Sequence, residues 1–86
     1  MTRADKLARA VLFARSDVNI DFDDVSKLLT TLGFSERIRG SHHIFVKDGV
    51  EELLNLQRDA KHAKPYQVKQ VRMIVARYRL WSPTDD

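Results

Sequence analysis

Histidine is the side chain whose proton affinity lies nearest neutrality. Two histidines stand side by side in Gly40-Ser41-His42-His43-Ile44-Phe45-Val46, and a third is His62. An imidazole can accept a proton from a ribose hydroxyl or donate one to a leaving oxygen near pH 7, as metal-free cleavage of a phosphodiester requires. For His42, taken by itself, a strand histidine bonded to its neighbour is the preferred reading and acid/base chemistry the alternative. Ser41 can position that ring or touch a phosphate, or can bond its own backbone at a turn. Lys47, Lys61, His62 and Lys64 are candidates to steady a negative phosphate. Lys64 is the preferred one, because Pro65 suits the first position of a helix whose leading amides attract phosphate. A metal site built from His42, His43 and His62 is not expected. Adjacent strand residues point to opposite faces, and no His-x₃-His helical pair is present. The absence of cysteine excludes disulfides and thiolate ligands, and nothing resembles the nucleophile elbow of a serine hydrolase.

The elements that must hold these residues follow from periodicity and punctuation. Residues 2–15 read as a helix that Thr2 can cap, with Leu7, Val11 and Ala14 on one face. Asp21 then caps a helix over 22–32, whose Phe22, Val25, Leu29 and Leu32 recur at helical spacing. Gly33 is its left-handed stop, onto which Phe34 can fold back. Strands are expected over 35–39, 41–47 and 50–57, with a bend or bulge at Gly40. A two-residue turn at Asp48-Gly49 would pair Phe45 with Glu52, His43 with Leu54 and His42 with Asn55. His42 would share a face with Ile44 and Val46, and His43 with Phe45. The pattern does not say which face the helices cover. A loop over 58–64 leads to a last helix over 66–80, with Val68, Val71, Val75 and Tyr78 as its apolar stripe.

With 86 residues the chain has room for one core. The expected fold is α+β, a three-stranded antiparallel sheet packed on helices in the order α-α-β-β-β-α. The expected organisation is an N-terminal helical extension over 1–16, a domain over 17–82 and an acidic tail over 83–86. No apolar run approaches the ~20 residues of a membrane span, and no signal-peptide core is present. Cytoplasmic placement is the expectation. The formal net charge is +3, but unevenly spread. Residues 17–24 hold four aspartates and no base, whereas 58–79 hold seven Lys and Arg against Asp59 alone. On the last helix Lys69, Arg72 and Arg79 can grip RNA phosphates or an acidic protein partner, or simply solvate the surface.

A helix ending Leu-Gly-Phe, then Gly-Ser-His-His-Ile-Phe, then the Lys-Pro-led run from Ala63 to Arg72 together resemble the HicA toxins. The resemblance covers roughly 20–80, and residues up to Arg15 are an extension that shorter members lack. It implies a double-stranded-RNA-binding-domain-like fold and a metal-independent mRNA endoribonuclease with no cofactor. It puts the catalytic role on His42 and implies a HicB-type antitoxin as partner. His43 then reads as structural or as a partner contact. RNA or phosphate contacts are expected from Ser41, Lys47, Lys64, Lys69 and Arg72. A non-catalytic RNA-binding or protein-interaction module on the same fold is the alternative.

Overall fold

The structure, a computed structural model, describes residues 2–83; the acidic end of the tail expected over 83–86 lies outside the described residues. Three helices, α1 (Arg3–Leu12), α2 (Phe22–Thr31) and α3 (Pro65–Arg77), pack on a three-stranded antiparallel sheet. Its strands are β1 (Ser35–Arg39), β2 (His42–Val46) and β3 (Leu54–Leu56). Two short strands, β4 (Arg58–Asp59) and β5 (His62–Ala63), form a separate hairpin before α3. The expected element order thus holds, with one hairpin added.

Helix boundaries are set by local chemistry. Thr2 Oγ1 accepts from the Asp5 N–H at 3.2 Å, while the Asp5 carboxylate accepts from the Thr2 N–H at 3.0 Å, a reciprocal cap. These bonds hold the Asp5 pKa below the usual aspartate value. The Asp21 carboxylate accepts from the Asp23 N–H at 2.8 Å and opens α2. At the other end Gly33 takes φ +100°. The Phe34 N–H then reaches Leu29 O at 3.0 Å and the Gly33 N–H reaches Thr30 O at 3.1 Å, the paired bonds of a Schellman stop. Phe34 folds back into the core, 4% exposed, as its position after the glycine implied. α3 ends in the same way without glycine: Arg79 takes φ +51°, and the Leu80 N–H returns to Val75 O at 3.0 Å.

One core joins all three helices to one face of the sheet. Leu7, Ala8 and Val11 of α1 lie in it beside Phe22, Val25, Leu28 and Leu29 of α2. Phe45, Leu54 and Leu56 enter from the sheet, and Val68, Val71, Ile74 and Val75 from α3. Each such side chain contributes ~1.5–3 kcal/mol when fully buried. The first helix is therefore integral to the core of this chain. Among the described residues no helix is long and apolar enough to cross a membrane.

Two expectations are corrected. Phe45 pairs with Leu54, Ile44 with Asn55 and His43 with Leu56, a register two residues away from the expected one. The physical reason is the turn. The Val50 N–H does bond to Lys47 O at 3.1 Å, but only Gly49 has positive φ, at +90°. The two-residue turns that match the strand twist need positive φ at the first central residue, and a turn with it only at the second splays the strands. Residues 51–53 are accordingly irregular, and β3 starts at Leu54. A shift of two preserves the faces. Phe45 and His43 meet the helices, and His42, Ile44 and Val46 lie on the opposite, open face.

The second correction is the loop expected over 58–64, which is a hairpin. Its two-residue turn begins at Ala60 with φ +54°, a position at which such turns usually carry glycine. The hairpin is tied to the start of α2 by the Ala63 N–H on Ile20 O (2.8 Å) and the Phe22 N–H on Lys61 O (2.9 Å). Lys64 and the first turn of α3 are thereby held against the end of the sheet.

Candidate functional site

Ser41 and His42 are placed by the tight turn between β1 and β2. Arg39 pairs with His42, and Gly40 takes φ +59° in the two-residue connection. Position 40 is thus a hairpin turn rather than a bulge, and Ser41 belongs to the turn rather than to the strand. The extended register puts Gln57 opposite His42, and Asn55, two residues earlier, diagonal to it on the same face.

These side chains form one hydrogen-bonded group. His42 Nδ1 lies 3.0 Å from Asn55 Oδ1, and His42 Nε2 lies 3.3 Å from Gln57 Nε2. The same Gln57 amide nitrogen donates to Ser41 Oγ at 3.2 Å. Gln57 Oε1 accepts from the Lys64 ammonium at 3.2 Å. An ammonium can only donate, so Lys64 fixes which way the Gln57 amide faces. Gln57 therefore presents N–H to His42 Nε2, which must accept, while Asn55 Oδ1 requires Nδ1 to donate. In a neutral imidazole this arrangement puts the proton on Nδ1 and the lone pair on Nε2. That lone pair points to the open face, held only by a long bond to an amide.

A buried glutamine supports the group from beneath. Gln67 is 3% exposed in the first turn of α3. Its Oε1 accepts from the Gln57 backbone N–H at 3.2 Å, and its Nε2 donates to Asn55 O and Tyr66 Oη, each at 3.4 Å. A buried amide without partners is costly, so these bonds lock β3 and the residues after it to α3.

His42, Ser41 and Lys64 are thus brought together with Asn55, expected beside His42 although from a different register, and with Gln57 and Gln67 as members that the sequence reading missed. A signal for Gln67 existed: it lies four residues before Val71 and seven before Ile74, on the apolar stripe, where a polar group must find partners. The other candidates lie elsewhere. Lys47 is five residues along β2 from His42, about 16 Å away, and its Nζ would stand 2.7 Å from a Cβ at Gly33. Lys69 is 3.6 Å from Asp17. Arg72, expected as a phosphate ligand, is engaged within the chain. Its guanidinium pairs with Asp17 and donates to Val11 O at 2.9 Å, Ser16 O at 3.4 Å and Ala14 O at 3.5 Å. Those donors hold the segment after α1 and do not face the His42 group.

His43 has a different environment. Its Nδ1 lies 2.8 Å from Glu36 Oε2, and its ring meets Phe22 edge-on with centroids 4.8 Å apart. Arg58 covers the other part of Phe22 at 4.6 Å and pairs with Asp23 at 2.6 Å. His43 is a packing residue at the sheet–helix boundary. His62 pairs across the β4–β5 hairpin with Asp59 and bridges to Asp21. Among the described residues no group of three or more His, Asp or Glu is placed to hold a metal ion. Comparison of the chain with protein-family models, with curated proteins and with solved structures finds no match.

Proposed function

We propose that this chain is a HicA-like toxin, a metal-independent endoribonuclease acting on mRNA in the bacterial cytoplasm and neutralised by a HicB-type antitoxin. The sheet-on-helices layout would then be a variant of the double-stranded-RNA-binding-domain fold. One observation carries the reading: the acceptor nitrogen of His42, the Ser41 hydroxyl and the Lys64 ammonium all meet one side chain, Gln57, on the open face of the sheet.

That grouping suits cleavage by the ribose 2′-hydroxyl. The 2′-OH proton passes to His42 Nε2, displacing the Gln57 N–H, and the 2′-oxygen attacks the adjacent phosphorus. Asn55 steadies the resulting imidazolium through Nδ1. Lys64, about one amide's length away, offsets the charge that builds on the phosphate oxygens. The P–O5′ bond breaks, the 5′-oxygen takes a proton from solvent, and the products are a 2′,3′-cyclic phosphate and a 5′-hydroxyl.

The test is induction of the wild-type chain and of His42→Ala, separately, in a bacterial host. Growth arrest with loss of mRNA in the wild type alone, at equal soluble levels, is the expected result. Harmless behaviour of both would move the non-catalytic RNA-binding reading ahead. Equal arrest by both would place the toxicity away from His42.

A further inference from the structure

The open face of the sheet extends well beyond His42. Ser35, Arg37 and Arg39 of β1 share it with His42, Ile44 and Val46 of β2, as the pairs Ser35–Val46, Arg37–Ile44 and Arg39–His42 require. Leu53 precedes β3 on the same side. Ser35, Arg37, Arg39, Ile44, Val46 and Leu53, with Glu36, line a shallow cavity of about 490 Å³ with an apolar floor of Ile44, Val46 and Leu53. Val46 is 46% exposed and Leu53 53%. Flat apolar groups of a ligand can rest on this uncovered floor.

The rim carries two arginines and one acid, Glu36, whose carboxylate is taken up by His43 Nδ1 at 2.8 Å. Arg37 and Arg39 are two residues apart on an edge strand, about 7 Å along it, and both are exposed. Neither has a carboxylate partner among the described residues, unlike Arg58, Arg72 and Arg77. Two guanidiniums in line, beside an apolar trough on the face that also carries His42, which pairs with Arg39, complement a chain that alternates anionic phosphates with flat apolar bases.

We infer that this face is a single-stranded RNA cradle. Arg37 and Arg39 hold successive phosphates, unstacked bases lie on Ile44, Val46 and Leu53, and the strand runs along the sheet to place a 2′-hydroxyl at His42. The inference rests on the endoribonuclease reading for its direction toward His42, but RNA binding by the cradle is separable from cleavage. A duplex does not fit, because its bases are stacked and paired and cannot reach the trough.

The test is fluorescence anisotropy with a labelled 2′-O-methyl RNA 12-mer, which binds but cannot be cut through its 2′-position. The Arg37→Glu/Arg39→Glu variant should bind at least tenfold more weakly. With Arg37→Gln/Arg39→Gln the slope of log affinity against log salt should fall by about 1.4, from about 0.7 per phosphate contact. Lys6→Glu/Arg9→Glu on the exposed side of α1 makes the same charge change and should stay within twofold of wild type. Leu53→Ser should weaken binding about threefold without altering the slope. Circular dichroism of each variant confirms its fold. Equal loss in the β1 and α1 variants, equal affinity for a duplex, or tighter binding of poly-glutamate than of RNA would each overturn the cradle, the last in favour of an acidic protein. Tight Arg-dependent binding of RNA that the wild type never cleaves would uphold the cradle and refute the endoribonuclease reading instead.

Discussion

Arg72 gives the sharpest separation of structural from functional charge on this molecule. Its side chain is 24% exposed, it pairs with Asp17, and it donates to Val11 O at 2.9 Å at the end of α1. Arg72→Met keeps most of the stem and removes these two interactions along with the longer bonds to Ala14 O and Ser16 O. Hydrogen bonds to charged groups contribute about 1.5–3 kcal/mol each. The carbonyl of Val11 can find water once the guanidinium is gone, and Asp17 keeps Lys69 at 3.6 Å, so the net cost is about 2–3 kcal/mol. A chain of 86 residues at 0.05–0.15 kcal/mol per residue has only about 4–13 kcal/mol in all. For a domain of this size 1 kcal/mol moves the melting midpoint by about 4–8 °C, so Arg72→Met should melt about 8–24 °C lower. Lys69→Met loses only an exposed pair worth at most about 1 kcal/mol and should shift by at most about 8 °C. Thermal unfolding followed by circular dichroism measures both, and RNA binding is read on the same samples below the transition. If Arg72→Met melts within about 3 °C of wild type while losing RNA affinity, the structural assignment is refuted and the phosphate-ligand reading returns.

Two other perturbations follow from the geometry. Gln57→Leu removes the amide shared by Ser41, His42 and Lys64 but leaves its backbone N–H on Gln67. RNA cleavage should fall about 5- to 30-fold, from the loss of one or two bonds of ~1 kcal/mol, with a melting shift under about 3 °C; an unchanged cleavage rate would remove Gln57 from the site. Glu52 accepts from Tyr78 Oη at 2.5 Å and pairs with Arg77, which holds its carboxyl below the usual glutamate pKa. A depressed pKa means stability that is present above the unfolded value of about 4.3 and is lost as pH falls through the folded one. The melting gap between wild type and Glu52→Gln should therefore be full at pH 6 and close on acidification toward pH 3. The same bond raises the Tyr78 hydroxyl, so its contribution holds at neutral pH and is lost only as pH rises above about 10.

The parts of this fold that were legible in the sequence are those governed by local chemistry. Asp21 at the start of α2, Gly33 and Phe34 at its end, and Pro65 at the first position of α3 each leave one favourable conformation, and the chain adopts it. The register of β2 against β3 was not legible, because Asp48-Gly49 is compatible with more than one turn and only tertiary packing chooses between them. The β4–β5 hairpin was hidden because Ala60 carries the positive φ that a glycine would have announced. At the site, His42, Ser41 and Lys64 stood out by residue type, whereas Asn55 and Gln57 did not, since neutral amides have no spacing signature of their own. Basic residues were the least legible. Nothing in sequence distinguishes Arg72, folded onto Asp17 and backbone carbonyls, from Arg37 and Arg39, which line the open face.

The central claim is that His42 performs metal-free acid/base chemistry on RNA. Its most direct measurement is cleavage of a single-stranded RNA by the purified chain in excess EDTA, comparing wild type with His42→Ala and resolving the product ends. The account predicts cleavage by wild type to a 2′,3′-cyclic phosphate and a 5′-hydroxyl, and a rate at least about 10²-fold lower in His42→Ala. Equal cleavage by the two proteins, or activity that disappears in EDTA, would contradict it.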